Sequence, residues 1–144
     1  MGAEITKLKR FEHWPILLSK FLQEKQGSEF VWGQNDCSLF VADCINALTG
    51  FDCGAHVRGT YSDADGARKV LTDFGGMFSM VESFLGDPRP YPMKNMRGDI
   101  VMHDFGTASC LGVIDDTGRR AAFLSVNRGL IREPISNKMI VWWY

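Results

Sequence analysis

No stretch of the sequence approaches the roughly 20 apolar residues that a membrane-spanning helix needs, so no membrane insertion is expected. Excess charge of one sign is missing as well. Sixteen Lys and Arg stand against 17 Asp and Glu, a formal net charge of -1. That balance supplies no broad attraction to nucleic acid or to an anionic surface, and neither is expected as a partner. The four cysteines, Cys37, Cys44, Cys53 and Cys110, contain no Cys-x-x-Cys pair and no repeated spacing. A zinc site usually shows compact ligand pairs, and a chain of this length needs no disulfide staples. Gly75-Gly76 lacks the company that a phosphate-binding loop would bring. No metal and no cofactor are therefore expected, and there is no internal repeat or low-complexity segment. Met1 to Lys7 has no apolar core of a secretory signal, so the chain is expected in a cytosol or carried elsewhere by a partner.

What remains is an ordinary globular mixture of 144 residues, 45% hydrophobic and 23% charged, enough for one domain over 1–144. Its first part, about 1–86, reads as helical. Trp14, Leu17, Leu18, Phe21 and Leu22 fall on one helical stripe, with Pro15 suited to the first turn and Gly27 to the stop. Cys37, Phe40, Val41, Cys44, Ile45 and Leu48 repeat the spacing up to Thr49-Gly50. A third helix is expected from about Asp63 to Phe74, capped by Ser62 or Asp63, with Ala67, Val70, Leu71 and Phe74 inward. A short amphipathic piece, Ser79 to Leu85, follows. The segment from Gly86 to Pro92 has three alternate prolines and reads as an ordered crossing loop. From about 98 to 144 the pattern becomes five short strands separated by turn residues, which favours an antiparallel meander. Helices gathered ahead of one antiparallel sheet make an α+β fold.

Cys37 opens the second helix, with Asp36 before it as a natural N-cap. A helix N-terminus favours thiolate over thiol, which makes Cys37 the candidate nucleophile, with Trp32, Gly33 and Asp36 as candidate binding residues along its approach. The bland alternative is a small buried apolar side chain.

The run from Phe30 to Val41, Phe-Val-Trp-Gly-Gln-Asn-Asp-Cys-Ser-Leu-Phe-Val, resembles the nucleophile segment of the NlpC/P60 cysteine peptidases, papain-like cell-wall hydrolases. Arg97-Gly98-Asp99-Ile100-Val101 is similar to the opening of that family's first core strand, and Cys110 to Ile114 to its second. The short length, the Trp-Gly-x-x-Asp-Cys form, the stretch from Tyr61 to Gly76 and the tryptophan-rich end look most like a branch found among tailed-phage proteins of the tail tip or baseplate hub. The resemblance implies helices packed on the sheet in the papain-like manner, and a place in the virion after assembly in host cytoplasm.

One departure from the family matters more than the matches. Active members open the second strand with a histidine that serves as general base, oriented by a polar residue on the next strand. Cys110 occupies the first position here, and Ala121-Ala122-Phe123 the region of the second. A thiol is a weak base with no second nitrogen to be oriented. The helix dipole alone contributes about 0.3–1 kcal/mol. Of the three histidines, His103 ends the first strand and would face Ser109 or Cys110 across an antiparallel pair, making it a tentative relocated base. His56 reads as an exposed loop residue and His13 as the residue before the first helix.

Two functions follow as expectations. The first is a structural component of a phage tail tip or baseplate hub, with the peptidase fold kept as a docking module and hub proteins as partners. The second is an active hydrolase cutting peptidoglycan stem peptides, with Cys37 attacking and His103 as base. A thiol-based metal or redox site made by Cys37 and Cys110 is a third. The terminal Val141-Trp142-Trp143-Tyr144 should expose one tryptophan if it is a strand.

Overall fold

The structure, a computed structural model, describes residues 8–89 and 95–144. The end of the proline-rich crossing segment, Pro90 to Pro92, lies outside the described residues. The helices are α1 (Trp14–Lys25), α2 (Cys37–Thr49), α3 (Ala64–Phe74) and α4 (Met77–Leu85). The strands are β1 (Ile100–Asp104), β2 (Ser109–Ile114), β3 (Arg120–Ser125), β4 (Gly129–Pro134) and β5 (Ile140–Trp142). The α+β class expected from the periodicity is what the chain adopts.

Local chemistry explains the helix limits. The Asp36 carboxylate accepts the Leu39 N–H at the start of α2, and Gly50 closes that helix with φ +83°. Asp63 rather than Ser62 caps α3, accepting the Gly66 N–H. Helix α1 stops at Lys25 with Gln26 still in the right-handed region, so Gly27 does not act as the expected left-handed stop. Helix α3 contributes no fully buried residue. Its apolar stripe, including Ala67, Val70, Leu71 and Phe74, is half-buried, because part of it faces a cleft rather than the core.

All five strands are antiparallel, in the order β4-β3-β2-β1-β5. The first four form the expected meander, but β5 leaves β4 and pairs with the far edge of β1. Burial of Trp142 accounts for this placement. Opposite Ile100, its ring is fully buried beside Phe78 of α4, and its Nε1–H donates to the Gly86 carbonyl at 3.0 Å. Trp143 points the other way, 40% exposed, beneath the Arg89 guanidinium.

The sheet separates two apolar clusters. The larger joins α1 and α2 to one face through Leu18, Phe40, Cys44, Ile100, Val113 and Ala122. The smaller lies on the opposite face around Val101, Ile114, Ala121, Phe123 and Val141. Strands β2 and β3 pair only at Val113–Ala122 and Ile114–Ala121, so the β2 end carrying Cys110 splays away from β3. The Phe123 ring crosses at Gly112, where even a Cβ would fall 2.6 Å from it.

Asp99, just before β1, is fully buried. Its carboxylate meets Arg10 at 3.0 Å and Arg89 at 3.2 Å, and accepts the Met96 N–H at 2.9 Å. Arg10 is held between the rings of Trp14 and Tyr144, 4.5 and 4.4 Å from their centroids. This cluster joins the segment before α1, the start of β1 and the last residue of the sequence.

Candidate functional site

The loop ahead of α2 is folded by its own side chains. Val31 and Asn35 bridge through their backbones, and Asn35 Nδ2 donates to the Glu29 carbonyl at 2.7 Å. Lys25 Nζ reaches Asn35 Oδ1 at 2.8 Å and Asp43 Oδ2 at 2.9 Å. Arg58 Nη2 lies 2.9 Å from both Asp43 Oδ1 and Asp52 Oδ1. The segments before and after α2 are thereby fastened to the helix.

Asp36 is the pivot, and it is buried. One carboxylate oxygen caps α2; the other accepts the Gly33 N–H at 3.0 Å and the Tyr61 hydroxyl. Burial, and then the hydrogen-bonded Asp36 carboxylate, hold the Tyr61 phenol above its ordinary pKa. Gly33 has φ +78°, and its carbonyl accepts the Gly59 N–H at 2.8 Å. A Cβ at this position would fall 1.9 Å from the Tyr61 carbonyl oxygen. Gly33→Ala should therefore destabilise the protein by about 2–5 kcal/mol, from left-handed strain plus overpacking, as read by urea unfolding. A loss under about 1 kcal/mol would show that the loop yields freely.

Cys37 and Cys110 meet where α2 begins and β2 begins. Their thiols lie within hydrogen-bonding reach, and the Leu111 N–H also points at the Cys37 sulfur. Both residues are half-buried and line one open cleft of about 530 Å³. Trp32, Asp36, Tyr61, α3 and the β3–β4 hairpin complete its walls.

The electrostatics differ from the helix-dipole expectation. The Cys37 thiol is held well above its ordinary pKa, because Cys37 acts as donor to Cys110, is buried, and sits beside the Asp36 carboxylate. Asp36 already occupies the free Leu39 N–H, leaving less of the helix end to stabilise a thiolate. Cys110 is brought down to about 7 by the hydrogen bond from Cys37, against the opposing effect of burial. The pair thus loses its first proton easily and its second with difficulty, the charge resting on Cys110. Iodoacetamide labelling of Cys110, followed by peptide mass spectrometry, should rise to half its maximum near pH 7. A midpoint at the ordinary thiol value of about 8.5 would contradict this pairing.

His103 stands directly opposite Cys110 in the β1–β2 register and on the same side of the sheet. Its ring packs edge-on against Phe105 at 4.6 Å and lies 6.1 Å from Phe123. Its Nδ1 is buried without a hydrogen-bond partner. No histidine is among the residues lining the cleft. His56 is exposed on a turn over a separate apolar cavity of about 260 Å³ between α2 and α4, and His13 precedes α1. Ala121 and Ala122 are fully buried and offer no polar atom to orient a base.

Of the sequence-derived site residues, Cys37, Cys110, Trp32 and Asp36 share the cleft wall, Gly33 supports Asp36 from behind, and His103 sits beyond Cys110. Tyr61 and the Leu111 N–H were not anticipated. Tyr61 lies 25 residues beyond Asp36 with no spacing to link them, and a backbone donor carries no residue signature. Among the described residues, no group of three or more His, Cys, Asp or Glu could hold a metal ion. None of the described helices is long and apolar enough to cross a membrane.

No curated protein and no solved structure matches the chain. A family model described as a domain of unknown function, DUF6950, matches residues 9–143, and the chain belongs to that family.

Proposed function

We propose that the protein is a non-hydrolysing structural component with a degenerate NlpC/P60-like, papain-like fold, serving as a docking module in a phage tail tip or baseplate hub. The observation that carries the loss of hydrolysis is the partner of Cys37: a second thiol, that of Cys110, rather than an imidazole. Amide cleavage by a cysteine needs a base to take the thiol proton and an acid to return it to the leaving amine. Cys110 is a thiol with no second nitrogen through which a partner could orient it, and no histidine lines the cleft. The carefully capped loop around Asp36 then serves shape rather than catalysis. The tail-tip assignment rests on the motif likeness of the segment from Phe30 to Val41 and of the tryptophan-bearing end.

Active hydrolysis of peptidoglycan stem peptides is the second reading, and one observation favours it: His103 faces Cys110 across β1 and β2. It requires that ring to leave Phe105 and reach past Cys110 to Cys37.

Infection separates the two. If the chain is a tail-tip component, deleting it from the virus that encodes it abolishes plaques, while Cys37→Ala leaves plating unchanged. A Cys37→Ala defect as severe as the deletion would overturn the structural reading in favour of catalysis. Normal plating after deletion would overturn the tail-tip assignment itself.

A further inference from the structure

We propose that Cys37 and Cys110 form a thiol–disulfide exchange site, closing reversibly into a disulfide at the expense of a low-molecular-weight disulfide of the glutathione class. The inference stands on geometry and does not depend on tail docking. The two cysteines are 73 positions apart by their numbers, yet the first residue of α2 and the second of β2 stand together in the lining of one cleft, where their thiols interact. A disulfide forms between two such thiols when their Cβ atoms come within about 4.5 Å. The other two cysteines are placed differently. Cys44 is fully buried beside Tyr144, and Cys53 is half-buried in the turns after α2.

The surroundings suit exchange and not hydrolysis. Exchange needs an attacking thiolate, a second thiol beside it and access for the partner, with no base to hand protons to an amine. Cys110 supplies the thiolate, and attack is most efficient when the thiol titrates close to ambient pH. Cys37 stays protonated until needed, and the Leu111 N–H is placed to stabilise its thiolate when it forms. The cleft of about 530 Å³ can admit a tripeptide-sized partner. Arg128 is in its lining and its guanidinium suits a carboxylate such as that partner carries; Arg68, also in the lining, pairs with Asp65 at 2.7 Å.

The steps balance without a metal or cofactor. The Cys110 thiolate attacks one sulfur of the small disulfide, whose S–S bond breaks. One small thiolate departs and takes a proton from solvent, leaving a mixed disulfide on Cys110. With the Cys110 thiolate consumed, Cys37 releases its proton to solvent, and its thiolate attacks the Cys110 sulfur. The second small thiolate leaves and is protonated in turn. Two electrons have passed from the protein pair to the small disulfide, giving one protein disulfide and two small thiols. The new bond ties the first turn of α2 to β2 across the cleft floor.

The test uses the whole chain, equilibrated in mixtures of reduced and oxidised glutathione, quenched in acid, alkylated and mapped by mass spectrometry. The expected result is a Cys37–Cys110 linked peptide, lighter by two hydrogens, whose abundance follows the glutathione ratio and which dithiothreitol removes. Cys53→Ser should behave like the unaltered chain, whereas Cys37→Ser should trap glutathione on Cys110. Finding both cysteines free in excess oxidised glutathione, or carrying only separate glutathione adducts, would overturn the proposal. A probe of the reduced protein needs no variant: one equivalent of phenylarsine oxide, which bridges close dithiols, should protect Cys37 and Cys110 together from alkylation. Both remaining fully alkylatable would count against the site.

Discussion

Replacing Cys110 by histidine should make Cys37 react with iodoacetamide at least about tenfold faster at pH 7, the largest change in reactivity expected from any single substitution in the cleft. In the native pair Cys37 is the donor, so its sulfur keeps its hydrogen to well above the ordinary thiol range. Very little thiolate is then present at neutral pH. An imidazole at position 110 reverses the hydrogen bond, accepting the Cys37 proton and leaving a thiolate beside a cation. Imidazole-paired cysteines titrate far below free ones. The cleft is open at this point, so the larger ring has room. Competition labelling resolved by peptide would show the change. Cys37 remaining as slow as in the parent chain would mean that something other than the missing base holds its proton. Peptide hydrolysis should still not appear, because the buried Ala121 and Ala122 provide no group to orient the ring.

The largest stability effect is expected at Asp99. Asp99→Ala should cost about 3–5 kcal/mol, because it strands two guanidinium groups that the fold has taken out of water. Arg10 and Arg89 have side chains only 6% and 8% exposed, and the carboxylate between them is their common counter-charge. In a protein of this length that loss lowers the melting temperature by about 6–20 °C. Calorimetry or urea unfolding gives the number directly. A change below about 1 kcal/mol would show that Arg10 is held well enough by the Trp14 and Tyr144 rings and the Arg97 carbonyl without the carboxylate. The Gly-Asp pair at the start of β1 therefore has a structural duty independent of any chemistry in the cleft.

Much of the fold was legible because it depends on short-range periodicity. The α2 stripe, the Asp36 cap and Gly50 all act within one or two helical turns, and each strand was visible from its own turn residues. What could not be read involved partners far apart in sequence. Nothing local indicates that β5 passes over β4 to pair with β1; burial of Trp142 beneath α4 decides it. Nothing local ties Tyr61 to Asp36, or Arg10 to Asp99, 89 positions away. In the site, the sequence marked Cys37 as a nucleophile position and Cys110 as a lost base, and paired the two only in a third reading, as a thiol-based metal or redox site. Their contact, and the reversal it imposes on Cys37, arises only when α2 is laid against the splayed end of β2. Helix-dipole reasoning gave the opposite direction for Cys37, since it counted the helix end without the carboxylate that already fills it.

In the proposed reading the thiol at position 37 has no base and so cleaves nothing. Prolonged incubation of the purified protein with peptidoglycan, followed by chromatography of released muropeptides, tests this most directly. The expected profile matches both the buffer blank and the Cys37→Ala protein. New stem-peptide fragments that vanish in Cys37→Ala would contradict it.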